Sequence, residues 1–185
     1  MRKNFGAKSW CYPQNVFIIA TYNEDGSVDA MNAAWGGIYD TNKIVLALSL
    51  EHKTVKNMLK RKAFTISMAD EENVIPCDYV GIVSGNKDPN KFNKTGWHFI
   101  PSKLVDAPII TELKMALECK LASYDEKEGI FIGEIVNVSV DESALTNGTI
   151  DTKKVKPITF DPVNSAYYGL GNKVGDAWKA GLKLK

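Results

Sequence analysis

Leu113-Lys114-Met115-Ala116-Leu117-Glu118-Cys119-Lys120-Leu121-Ala122 can be read in two ways, and the choice decides the fold. By composition it is a helix, because Leu, Lys, Glu, Met and Ala all favour helices. By period it is a strand, since Leu113, Met115, Leu117, Cys119 and Leu121 alternate without a break with Lys114, Ala116, Glu118, Lys120 and Ala122. Strand side chains point to opposite faces in turn, whereas a helix returns to one face every three or four residues. The period outweighs the propensity, and the segment is expected to be a strand.

The same period spreads outward. Phe64, Ile66 and Met68 alternate with Thr65 and Ser67. Over residues 130–140, Ile130, Ile132, Val136, Val138 and Val140 are expected on one face, with Gly133 marking a bulge or a close backbone approach. Residues 16–21 and 44–50 are nearly continuous apolar runs, as buried strands are. Asn23-Glu24-Asp25-Gly26 is a hairpin signal, because Gly accepts positive φ freely, so residues 27–36 should return antiparallel to 16–21.

Helices are fewer. Thr54 is expected to cap one whose apolar face is Val55, Met58 and Leu59 and whose last turn carries Lys60, Arg61 and Lys62. A second is expected over residues 73–82, and a third near the C-terminus, where Val174, Ala177, Trp178 and Leu182 share a face. The early links are too short for parallel crossovers. The whole is expected as one mainly β domain over residues 1–185, an antiparallel barrel with helices packed outside.

Composition narrows the function. A chain of 185 residues buries a core without metal or disulfide support. A formal net charge of +1 lacks the basic excess that a nucleic-acid partner needs. No apolar run approaches the roughly 20 residues of a membrane span, and Met1 to Lys8 is basic with no apolar stretch after it, so no signal peptide is expected. Cys11, Cys77 and Cys119 are far apart, odd in number and form no Cys-x-x-Cys pair, which fits a reducing compartment, and a cytoplasmic location is expected. Neither His52 nor His98 lies near a cysteine, and no zinc site is expected. No Ser/His/Asp arrangement or paired carboxylate stands out, which disfavours hydrolase chemistry.

Four segments could carry chemistry, each with a plainer reading beside it. In Ser49-Leu50-Glu51-His52-Lys53-Thr54 a strand gives way to a helix whose free N–H groups suit a phosphate, or Thr54 is only a cap and Lys53 a solvated lysine. In Ala30-Met31-Asn32-Ala33-Ala34-Trp35-Gly36-Gly37 small side chains let a flat ring lie against the backbone, or they permit a tight barrel corner. Residues 84–97, with Ser84, Gly85, Lys87, Lys91 and Lys94, read as a long polar loop that clamps a phosphate or is merely solvated. Tyr167-Tyr168-Gly169-Leu170-Gly171 stacks on a cofactor or plugs the barrel end. Cys119 reads as core, while Cys77, after Pro76 near a helix start, lies where a thiolate is favoured.

Taken in order, these segments resemble the flavin reductase-like, FMN-binding split-barrel family, flavoredoxins in particular. The resemblance runs through Pro13, Asp25-Gly26, Met31-Asn32-Ala33-Ala34-Trp35, Ser49-Leu50, Lys53-Thr54, Phe64-Thr65-Ile66-Ser67, Ser84-Gly85 and Lys91. It continues through Ala107-Pro108-Ile109-Ile110, Leu117-Glu118-Cys119, Ile132-Gly133-Glu134 and residues 168–181. It implies a Greek-key split β-barrel that binds FMN at a homodimer interface. By analogy Asn32, Ala33, Ala34 and Trp35 would lie along the flavin ring. Ser49, Leu50, Lys53, Thr54 and Ser84 would serve the phosphate and ribityl chain, with Lys91 a further phosphate partner. Asp29 stands where related sequences tend to have Asn and is left out of the site.

The resemblance implies an oxidoreductase that passes electrons through FMN from NADH or NADPH. The alternative is a flavoredoxin-type carrier fed by a protein partner. No Gly-x-Gly-x-x-Gly follows a strand, so nicotinamide would have to meet the flavin directly.

Overall fold

A computed structural model describes all 185 residues. Seven strands form one antiparallel sheet in the order Val28–Ala33, Phe17–Tyr22, Ala63–Met68, Met115–Asp125, Ile130–Val140, Lys43–Ala47 and Gly36–Asp40. The sheet curls into a half-barrel, giving the Greek-key split β-barrel that the sequence reading expects. No helix is long and apolar enough to cross a membrane.

The strands Phe17–Tyr22, Val28–Ala33 and Ala63–Met68 are buried on both faces, and the first of them is a continuous apolar run for that reason. Phe17 and Ile19 enter one core cluster with Phe64, Ile66, Leu117 and Phe131, while Val16, Ile18 and Ala20 enter another with Cys77, Val80, Phe92 and Trp97. Helix α1 (Lys53–Arg61) brings Val55 and Met58 into the first cluster. Helix α2 (Val74–Ile82) brings Cys77 and Val80 into the second. Burial of this kind contributes about 1.5–3 kcal/mol for each large apolar side chain fully removed from water.

The ambiguous segment is a strand, Met115–Asp125, with Leu117 and Cys119 in the core. Its other face is covered too. Glu118 is buried there, its carboxylate accepting from Ser102 Oγ and, at 2.6 Å, from Asn137 Nδ2. The hairpin also forms, with Gly26 at φ +84° and Phe17–Tyr22 paired to Val28–Ala33. Asn57 Nδ2 ties α1 to that turn through Asn23 Oδ1 at 2.9 Å and Thr21 Oγ1 at 3.2 Å.

Several expectations need correcting. The strand returning from the hairpin stops at Ala33, and Gly36–Asp40 is a separate strand. The run expected to be a strand to residue 50 leaves the sheet after Ala47. In Ile130–Val140 the pairing shifts between Ile132 and Gly133 and again between Ile135 and Asn137, so the side chains change face: Phe131 enters the core and Val138 is 44% exposed. Helix α1 begins at Lys53 with His52 at the cap position and no side-chain cap, so Thr54 lies inside the first turn. The loop over residues 84–97 buries Lys91, Phe92 and Trp97. The third helix is absent: residues 171–185 are exposed and hold only a 3₁₀ turn, Ala180–Leu184, because no surface of the chain meets their apolar stripe.

Gly133 is both a bulge and a close approach. A Cβ there would stand 2.6 Å from Phe64 Cζ and 3.2 Å from Ile44 Cγ2. We predict that Gly133→Ala overpacks the core and costs about 1–3 kcal/mol, read as a lower denaturation midpoint. An unchanged midpoint would mean that Phe64 moves aside freely.

Candidate functional site

Two adjoining cavities lie between the Val28–Ala33 strand, the start of α1 and the end of α2. The larger, of about 320 Å³, runs along Asn32, Ala33, Ala34 and Trp35 and is closed by Ser49, Asp78, Phe160 and Tyr167. The smaller, of about 150 Å³, lies against Lys53 and Thr54 at the start of α1, Ser84 and Gly85 after α2, and Lys91. Met31, Asn32, His52, Gly81 and Ile82 border both, which makes them one bent site.

Ala33 and Ala34 put little side chain into the larger cavity. Ala33 is buried, Ala34 half-buried, and Trp35 stands 57% exposed at the mouth. Helix α2 approaches closely because Gly81 has no side chain; a Cβ there would lie 2.9 Å from Asn32 Cβ. Asn32 Nδ2 donates to Cys77 O at 3.1 Å, fixing the amide between strand and helix. On the far wall Tyr167 donates to Asp78 Oδ1 at 2.9 Å. Burial first, and then the Asp78 carboxylate, push the Tyr167 phenol up to about 12.

The smaller cavity meets the start of α1. The first N–H groups of a helix lack intrahelical partners and carry its positive end. In α1 no side chain caps them and no acidic residue stands in the first turn. Lys53 is half-buried beside them and makes no side-chain hydrogen bond or ion pair. The loop after α2 is held to this corner by Asn86 Nδ2, which donates to Glu51 O at 2.8 Å.

The structure thus brings Asn32, Ala33, Ala34, Trp35, Ser49, Lys53, Thr54, Ser84 and Lys91 to one site. Leu50 is not among the lining residues; its half-buried side chain packs on the core cluster below. Two of the polar residues also have partners within the protein. The Thr54 hydroxyl donates to Asp29 Oδ2 at 2.5 Å. The Lys91 ammonium has three N–H groups, and it meets Val83 O at 3.1 Å, Val80 O at 3.3 Å and Asp29 Oδ1 at 3.6 Å. Lys91 lines the smaller cavity with its ammonium against these three oxygens. Burial lowers the Lys91 pKa and the neighbouring Asp29 opposes that shift.

The sequence reading leaves Asp29 outside the site, gives His52 no role of its own, and does not single out Asp78 or Gly81. Of the last two only Gly81 has a local sign, a glycine inside a helical segment.

A curled antiparallel half-barrel with a cavity joined to a helix N-terminus defines a class, and the chain belongs to it: the profile of the flavin reductase like domain family matches residues 9–160. Among solved structures the chain is similar to the flavoredoxin of Desulfovibrio vulgaris (Miyazaki F), at 39% identity and a TM-score of 0.93 over 98% of this chain and 100% of that one. It is also similar to the flavoredoxin from Methanosarcina acetivorans, at 23% identity and a TM-score of 0.89 over the whole of both chains (100% each). An FMN-binding domain of a flavin reductase-like enzyme from Shewanella baltica OS155 shares the fold at 19% identity and a TM-score of 0.79, over 88% of each chain.

The thiols are placed for packing. Burial pushes both Cys77 and Cys119 up to about 12, with Asp70 adding to the first and Glu118 to the second. This corrects the reading of Cys77 as a favoured thiolate. We predict that in the native protein only the exposed Cys11 reacts with a thiol reagent, and that Cys77 and Cys119 react after denaturation. The same shifts fix a pH dependence. An unfolded thiol titrates near 9.0 and the folded ones near 12, so between those values the folded state holds more protons. Their contribution is complete below pH 9 and is lost as pH climbs toward 12. Stability that rose over this range would contradict the burial of both thiols.

Proposed function

We propose that this protein binds FMN in the bent cavity and works as an oxidoreductase, with NADH or NADPH as electron donor. The observation that carries the reading is the junction of a cavity lined by Ala33 and Ala34 with an uncapped helix N-terminus beside a free lysine. One is shaped for a planar ring, the other for a phosphate. Bound FMN supplies electron-transfer chemistry, and the protein supplies binding, orientation and electrostatics. Ala33 and Ala34 admit a ring against the strand backbone. Lys53 and the first N–H groups of α1 hold the phosphate, with Ser49 and Ser84 as further donors. Trp35 and Ile82 form opposite lips and leave the mouth open for a nicotinamide.

A second reading is favoured by the 39% identity to a flavoredoxin: an FMN carrier that receives electrons from a protein partner. The test is a visible spectrum of the purified protein, followed anaerobically by NADH and then NADPH. Flavin bands that bleach with either nucleotide support the reductase, and bands that persist support the carrier. A colourless protein that also ignores added FMN would sink both. Three unpaired cysteines fit a reducing compartment, and we place the protein in the cytoplasm.

Lys53→Ala should weaken FMN binding by about 1–3 kcal/mol, the range for a hydrogen bond to a charged group. Riboflavin, which lacks the phosphate, should lose less. Equal losses would remove Lys53 from the phosphate site.

We further propose a homodimer joined across the cavity mouth. Trp35, Ile38 and Tyr39 on one side and Ile75 and Ile82 on the other are exposed at 57%, 71%, 62%, 83% and 74%. Large apolar patches of this kind mark interfaces. Sedimentation velocity should show a dimer for the native chain and a monomer for Ile38→Asp. A monomeric native chain would end this proposal.

A further inference from the structure

Behind the smaller cavity lies a charge that phosphate binding does not call for. Asp29 is only 3% exposed, and its carboxylate is set against three of the cavity's lining residues, Thr54, Gly85 and Lys91. Oδ2 accepts from Thr54 in the first turn of α1 at 2.5 Å, and Oδ1 lies 3.6 Å from Lys91 Nζ. Gly85 packs so tightly on it that a Cβ there would stand 2.4 Å from Oδ1. The charged side chains at this corner are therefore Lys53 and Lys91 against Asp29, a net charge of one positive.

A phosphate monoester brings a charge of about −1.5 to −2 at neutral pH. It has to share the positive end of α1 and the Lys91 charge with a carboxylate already there. We infer that Asp29 is an internal counter-anion that competes with the ligand's phosphate for these positive groups, and so sets how strongly the pocket prefers a phosphorylated flavin to an unphosphorylated one. The inference rests on the FMN reading of this site and deepens it.

Two physical effects point the same way. A charge buried this deeply is screened by solvent less than a surface one, so the repulsion between carboxylate and phosphate is only partly damped. Lys91 without Asp29 would be a buried cation lacking its counter-ion, a state that is costly in the free protein and relieved when a phosphate arrives. Neither effect acts on riboflavin. The carbonyls of Val80 and Val83 hold Lys91 in place whether or not Asp29 is charged. Asn at position 29 keeps the shape and still accepts from Thr54.

The test is to titrate FMN and riboflavin, by quenching of flavin fluorescence, into the native protein, Asp29→Asn and Asp29→Ser. Circular dichroism checks that each variant is folded, and Ser serves if Asn does not fold. The ratio of FMN to riboflavin affinity should rise about tenfold or more in the neutral variants, equivalent to about 1.4 kcal/mol. An unchanged ratio, or a gain shared equally by both flavins, overturns the inference. Inorganic phosphate supplies an arm that does not depend on flavin: it should raise the melting temperature of the neutral variants more than that of the native protein. If the native protein binds neither flavin while the phosphate difference appears, the FMN reading falls and the counter-anion role stands. Equal phosphate gains overturn that role.

Discussion

The buried cluster of Asp29, Thr54 and Lys91 joins three parts of the chain that are far apart in sequence. Asp29 belongs to the strand Val28–Ala33, Thr54 to the first turn of α1, and Lys91 to the loop after α2. Breaking one partner would leave a charge or a hydroxyl without compensation in a low-dielectric place. The three elements are therefore fixed against one another, and the corner where they meet is the smaller cavity. A buried ion pair is weak support for stability, but here it specifies an arrangement that apolar packing alone would leave free to slide.

Much of the fold was legible because strands advertise themselves by period. Met115–Asp125 has the composition of a helix, yet its period of two sends Leu117 and Cys119 into one core cluster while Glu118 is buried on the opposite face. The Asp25-Gly26 turn was legible for a steric reason, since Gly26 sits at φ +84°. The readings that failed depend on distant partners. Two register shifts in Ile130–Val140 exchange its faces, and nothing local records where a bulge falls. The stripe of Val174, Ala177, Trp178 and Leu182 has helical spacing but no surface to pack on, and short isolated helices are marginal in water.

The candidate site divides along the same line. The small-residue strand and the strand-to-helix turn announce themselves, because backbone access and free helix N–H groups are local properties. Lys91 does not. A lysine in a polar loop reads as solvated, and only the fold shows its ammonium against two carbonyls and a carboxylate. Cys77 follows the same pattern: its place near a helix start suggests a thiolate, while burial holds it as a thiol.

Under the proposed reading the protein would control two quantities: how firmly the phosphate end of a flavin is held, and what reaches the ring. Holding would be an electrostatic matter of the small cavity, with backbone N–H groups and Lys53 acting against the nearby charge of Asp29. Access would be a matter of the mouth, where Trp35 and Ile82 are exposed. The two controls sit on different elements and can vary independently. Under the proposed reading, a reductase that releases its flavin and a carrier that keeps it would differ in the charges beneath the phosphate and the side chains at the rim, on one barrel.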